Sequence, residues 1–135
     1  MKYKIIDLEG VGEAYAEKFK AVGIATVDEY LKRCRTPQER KALADETGIA
    51  PSLIMKFANH ADLMRVEGVG PQFAELLEAA GVDTVKEFRT RNAANLEAKL
   101  TEINDKRHLT GRVPNEEQLK IMIERADILE PFLMY

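Results

Sequence analysis

The chain has 135 residues, 45% hydrophobic and 32% charged, enough for one compact domain or two small subdomains sharing a core. Its net charge of −3 argues against a dedicated nucleic-acid binder with a broad basic footprint. No apolar run approaches the roughly 20 residues of a membrane helix, so no membrane role is expected.

Residues 3–8 predict a short opening helix that ends at Leu8-Glu9-Gly10-Val11-Gly12. A second helix is expected from about 13 to 21, stopped at Gly23 in the manner of a glycine C-cap. Thr26-Val27-Asp28-Glu29 carries a capping-box pattern for a helix near 27–33, and Thr84-Val85-Lys86-Glu87 repeats it for 85–90. Thr36 followed by Pro37 opens a helix to about 46, closed by Gly48. Pro51 starts another through about 60–64, which feeds directly into Val66-Glu67-Gly68-Val69-Gly70. Then come helices at 71–80, 85–90, about 93–107 with Asn92 as cap, and 115–129. No segment alternates with the two-residue period of a strand, so the expected fold is all-α.

The two glycine pentapeptides organise this order. Residues 6–30 match residues 64–88 at 11 of 25 positions, including Glu9/Glu67, Gly10/Gly68, Val11/Val69, Gly12/Gly70, Ala16/Ala74, Gly23/Gly81 and Thr26/Thr84. This is an internal duplication with a period of 58, dividing the chain into repeats at 1–60 and 61–135. Ala61-Asp62-Leu63 aligns with Ala126-Asp127-Ile128 at an offset of 65, so the second repeat carries about seven extra residues near 103–112. In each pentapeptide two glycines allow a sharp turn, with positive φ available at either. The valine between them points inward, and the helix that follows presents free N–H groups that favour an anion.

The pattern apolar-x-Gly-apolar-Gly-x-x-x-Ala, met twice with Gly-x-x-Thr downstream, resembles the helix-hairpin-helix motif of polymerases, ligases, glycosylases and repair nucleases. The resemblance implies a SAM-like bundle of tandem helix-hairpin-helix repeats, about nine to ten short helices in all. It also implies hairpin amides that contact nucleic-acid backbone phosphates without reading sequence. Nearly the whole chain further resembles a bacterial family of such tandem proteins catalogued as a domain of unknown function. The carrying segments are the LEGVG turn, TPQERKALADETGI, ADLMRVEGVG and VPNEEQLKIMIERA.

On this reading the candidate nucleic-acid contacts are Gly10, Gly12, Gly68, Val69, Gly70 and Gln72, joined by Lys32, Arg33 and Arg35 from the strongest basic run, which continues to Arg40 and Lys41. Where the resembled motif favours proline before the first glycine, this chain has Glu9 and Glu67, and Glu13 follows the first turn. A carboxylate at a helix N-terminus competes with phosphate for the same amides. The second turn, followed by Pro71 and Gln72, therefore ranks first and reads equally as a phosphate contact or as structural, while the first turn reads rather as structural. The basic run has a routine alternative too, as cations near helix C-termini.

Catalysis finds little footing, and no enzyme activity, cofactor or metal is expected. His60 and His108 belong to no ligand cluster, and His60 reads as exposed or dipole-paired near a helix end. Cys34 has no disulfide partner and no leader-like apolar core precedes it, so a cytoplasmic protein is expected. Its arginine neighbours favour a lowered thiol pKa, whereas the lack of a nearby histidine favours a passive role. The apolar tail Leu129, Phe132, Leu133, Met134 and Tyr135 either packs back or serves a protein partner or a homodimer. Partners thus divide between DNA or RNA backbone and protein.

Overall fold

The computed structural model describes residues 3–135. Those residues form eight α-helices and a short 3-10 turn at Ile5–Asp7: α1 (Glu13–Ala21), α2 (Val27–Arg33), α3 (Pro37–Thr47), α4 (Pro51–Leu63), α5 (Pro71–Ala79), α6 (Val85–Phe88), α7 (Ala93–Arg107) and α8 (Glu116–Asp127). No strand occurs among them; an isolated antiparallel bridge joins Lys4 to Thr26. The chain divides into two compact units, one running through Asp62 and including Phe132–Tyr135, the other Leu63–Pro131.

In the first unit the expected opening helix shrinks to the 3-10 turn. The Asp7 carboxylate accepts from the Lys4 amide at 2.9 Å, and the Ile5 amide donates away to the Ala25 carbonyl at 2.9 Å. That bond ties the start of the chain to the α1–α2 connection instead of to a longer helix. Helix α1 ends in a Schellman arrangement: Gly23, at φ +86°, donates to Lys20, and Ile24 donates back to Phe19. Thr26 then caps α2 by accepting from the Glu29 amide, and Glu29 returns the bond to the Thr26 amide. Those backbone donors, Ala25 first, hold the Glu29 carboxyl below the usual carboxylate range. Thr36 and Pro37 open α3, and Gly48 at φ +72° closes it.

The core of this unit is aromatic. Phe19, Tyr30 and Phe57 are essentially buried and meet edge to face, with centroids 5.1 Å apart for Phe19–Tyr30 and 6.5 Å for Phe57 with each. The Tyr30 hydroxyl donates to the Ile54 carbonyl at 2.7 Å, which fastens α2 to α4. His60 lies on α4 as well, in its last turn and fully buried, which rules out the solvent-exposed alternative of its expected reading.

The second unit repeats the plan with variations. Gly81, at φ +88°, donates to Glu78, and Val82 donates back to Leu77, the same helix ending one period later. Thr84 accepts from the Glu87 amide, but the Glu87 carboxylate does not complete the expected box. It pairs instead with Arg91 at 2.7 Å. Helix α7 runs 15 residues where α3 runs 11, so part of the extra sequence is a helical turn. The rest lengthens the connection 108–115, which Asn104 organises by bonding both the N–H and the C=O of Thr110. Asn115 caps α8 in a reciprocal bond with Gln118.

Candidate functional site

The two glycine turns have the same backbone. Gly10 and Gly68 sit at φ +91° and +100°, in the left-handed region that glycine tolerates best. The following valines turn inward, 5% and 3% exposed, and each donates to the residue three back, Leu8 and Val66, at 3.0 Å. Gly12 and Gly70 are extended, at φ −86° and −97°, and act as the N-caps of α1 and α5. Only the first glycine of each pair uses positive φ. Neither N-cap offers a side-chain acceptor, so the first-turn amides are left for another partner. Four residues on, Ala16 and Ala74 are buried, where the small side chain lets the helix approach its neighbours.

A residue from the last helix of each repeat covers the turn. A Cβ on Gly10 would lie 3.2 Å from the Phe57 ring, and one on Gly68 would lie 3.1 Å from the Met122 methyl. Phe57 and Met122 correspond at the offset of 65 read from Ala61 and Ala126.

The surroundings of the two turns differ. Turn 1 leads into exposed Glu13. Turn 2 leads into half-buried Pro71 at the first helical position and exposed Gln72. Arg125, on α8, donates to the Glu67 carbonyl at 3.1 Å and so holds its guanidinium against turn 2. It shares a cleft of about 290 Å³ with Arg112, Pro114, Gln118, Ile121 and Met122. A second cleft, about 470 Å³, places Gln72 beside Asn104, His108 and Thr110. Sequence reasoning missed Arg125 because its partner is a backbone carbonyl 58 residues away, a relation with no local signature.

Several cations of the basic run in the first unit have partners within the chain. Arg33 donates to the Val22 carbonyl at 2.9 Å and pairs with Glu46 at 3.3 Å. Arg91, its equivalent one period later, donates to the Gly81 carbonyl at 2.9 Å. These arginines satisfy carbonyls at the ends of α1 and α5, the dipole-complementing role weighed above. Arg40 is 9% exposed and donates to the carbonyls of Cys34, Arg35 and Met134. Arg35 lies 5.4 Å from the centre of the Phe132 ring. Lys32 and Lys41 remain exposed. The tail therefore packs on the first unit, with Met134 donating to the Arg35 carbonyl at 2.8 Å and Tyr135 bonding to Asn59.

Cys34 is fully buried beside Tyr30, and burial pushes its thiol up to about 12, against the lowering expected from its arginine neighbours. Desolvation outweighs Arg40 and Arg33, both of which favour the thiolate. Among the described residues no group of three His, Cys, Asp or Glu side chains is placed to hold a metal ion, and no helix is long and apolar enough to cross a membrane.

The geometry defines an all-helical protein built on a duplicated glycine turn. The chain belongs to the family described as Domain of unknown function (DUF4332), whose model matches residues 9–129. No curated protein and no solved structure matches it.

Proposed function

We propose that this chain is a non-catalytic, cytoplasmic tandem helix-hairpin-helix module that holds nucleic-acid backbone at turn 2. The observation that carries the reading is the arrangement there: an exposed glycine turn, a helix start with no side-chain cap, and Arg125 fixed beside it by the Glu67 carbonyl. Uncapped amides and a guanidinium together suit a phosphate oxygen. The contact set shifts accordingly to Gly68, Val69, Gly70 and Gln72 with Arg112 and Arg125, and away from Lys32, Arg33 and Arg35. Turn 1 serves as a structural hairpin, since the Glu13 carboxylate at the helix start would compete with a phosphate for the same amides. Cys34 and His60 are both buried, whereas His108 is exposed and lines the cleft beside Gln72.

Fluorescence anisotropy with labelled DNA and RNA oligomers tests the reading. Two guanidinium–phosphate contacts predict a loss of about tenfold in affinity between roughly 50 and 200 mM salt. Gly70→Glu places a carboxylate at the amides and should weaken binding further; an affinity insensitive to both changes would overturn the proposal.

A second reading, a scaffold for protein partners, is favoured by Ile121 on α8 and Ile128 at its C-cap, exposed at 48% and 82%. Their spacing of seven places them on one helical face. Binding of neither DNA nor RNA at low salt would favour this reading.

A further inference from the structure

The cleft beside turn 2 has a floor and a rim of different chemistry. Gln118, Ile121, Met122 and Arg125 share one face of α8, spaced three, four and seven residues apart, and Arg112 and Pro114 supply the facing wall. Among the described residues neither Arg112 nor Arg125 is paired with a carboxylate; the contact recorded for Arg125 is the Glu67 carbonyl, a neutral group. Two charges without a carboxylate partner thus line the same cleft as Pro114, Ile121 and Met122. A simple anion would satisfy the rim and leave the floor bare.

The corresponding place in the first unit is filled. Phe57 stands where Met122 stands, and its ring packs edge-on against Tyr15, Phe19 and Tyr30. The slimmer, flexible Met122 leaves space beside the turn, so this feature belongs to the second repeat.

We infer that the Arg112–Arg125 cleft accepts one unstacked base of a single-stranded nucleic acid whose adjoining phosphate lies at turn 2. This rests on the backbone contact proposed above and specifies its substrate. A duplex keeps its base faces stacked inside and can offer only phosphates to the rim. A single strand can swing one base onto the apolar floor while its phosphate meets the arginines. Guanidinium planes also stack on bases, and both contacts tolerate any base, so the preference is for strandedness and not for sequence.

The test compares a labelled thymidine oligomer, the same oligomer carrying abasic sites, and a duplex of equal length. The thymidine oligomer should bind about fivefold or more tightly than the other two. Met122→Phe, which fills the cleft as Phe57 does in the first unit, should lower affinity for the thymidine oligomer to that for the abasic one and so remove the preference. Ile121→Ser alters an exposed position, adds no charge beside the arginines and should likewise reduce the preference, which tests the floor independently if Met122→Phe lowers the melting temperature. Equal affinity for all three oligomers, unaffected by Met122→Phe, would overturn the base site while leaving the turn 2 contact intact. Loss of binding to all three would sink the backbone reading as well. A fluorescent peptide of alternating glutamate and phenylalanine that binds, is blocked by Met122→Phe and is not displaced by the thymidine oligomer would make the cleft a peptide site and contradict the inference.

Discussion

The Tyr30 hydroxyl lies 2.7 Å from the Ile54 carbonyl oxygen and donates to it across the buried face between α2 and α4. Tyr30 is fully enclosed, so its hydroxyl has no water to turn to. Tyr30→Phe keeps the ring contacts with Phe19 and Phe57 and deletes this bond together with the hydroxyl's hydrogen bond with the Cys34 thiol. A loss of about 1 kcal/mol in chemical denaturation is expected, with the slope unchanged.

The glycines of turn 1 should separate cleanly. Gly10→Ala forces a side chain into φ +91° and against the Phe57 ring at 3.2 Å, and is expected to cost about 1–3 kcal/mol. Gly12→Ala meets nothing within 4 Å and keeps an ordinary φ of −86°, so its effect should stay near 0.5 kcal/mol. Thermal melts of the two variants check the pair.

Cys34 should resist alkylation by iodoacetamide at pH 8 in the folded protein and react once the chain is unfolded. Its thiol is enclosed and pushed up to about 12. The same shift bears on stability. The unfolded thiol loses its proton from about pH 9, whereas the folded one holds it to about 12, so between those values the folded state binds more protons. Stability is therefore full below about pH 9 and falls as pH rises through that window, by up to about 1.4 kcal/mol per pH unit. Tyr30, likewise raised by burial, adds to the decline at higher pH. Denaturation midpoints across the alkaline range measure it, and Cys34→Ala should flatten the first part of the slope.

Arg40 holds three backbone carbonyls at once, and Arg40→Met should cost about 1.5–3 kcal/mol while freeing Phe132–Tyr135. Hydrogen exchange at the Met134 amide, which donates to the Arg35 carbonyl at 2.8 Å, reports the release. Unchanged exchange in the variant would mean that the ring contacts alone secure the tail.

Local signals in the sequence were read well wherever a few neighbouring residues decide the outcome. Thr26, Thr36 and Asn92 announce helix starts because each side chain bonds an amide three residues on. Gly23 and Gly48 mark helix ends because positive φ is needed there. The 58-residue period shows in backbone as well as in letters, down to the valine bonds at 3.0 Å in both turns. Burial was harder to read. His60 reads in isolation as exposed or dipole-paired and Cys34 as a thiol flanked by two arginines, and the packing around α4 and α2 encloses both. The partners of the cations were hidden for a related reason. Arg33, Arg35 and Arg40 are neighbours in sequence, yet each is taken up by carbonyls, a carboxylate or a ring. Arg125 stands 55 residues beyond Gly70 and reaches turn 2 through tertiary structure alone.

The account's central claim concerns where a phosphate sits, and amide chemical shifts locate it most directly. An ¹⁵N-labelled sample titrated with an unlabelled oligonucleotide at low salt should show the largest shifts at Gly68, Gly70, Gln72 and Phe73 and at the Arg112 and Arg125 side chains. Turn 1, from Gly10 to Tyr15, should stay quiet. Shifts confined to Lys32, Arg35 and Lys41, or absent at turn 2 while the oligomer binds, would contradict it.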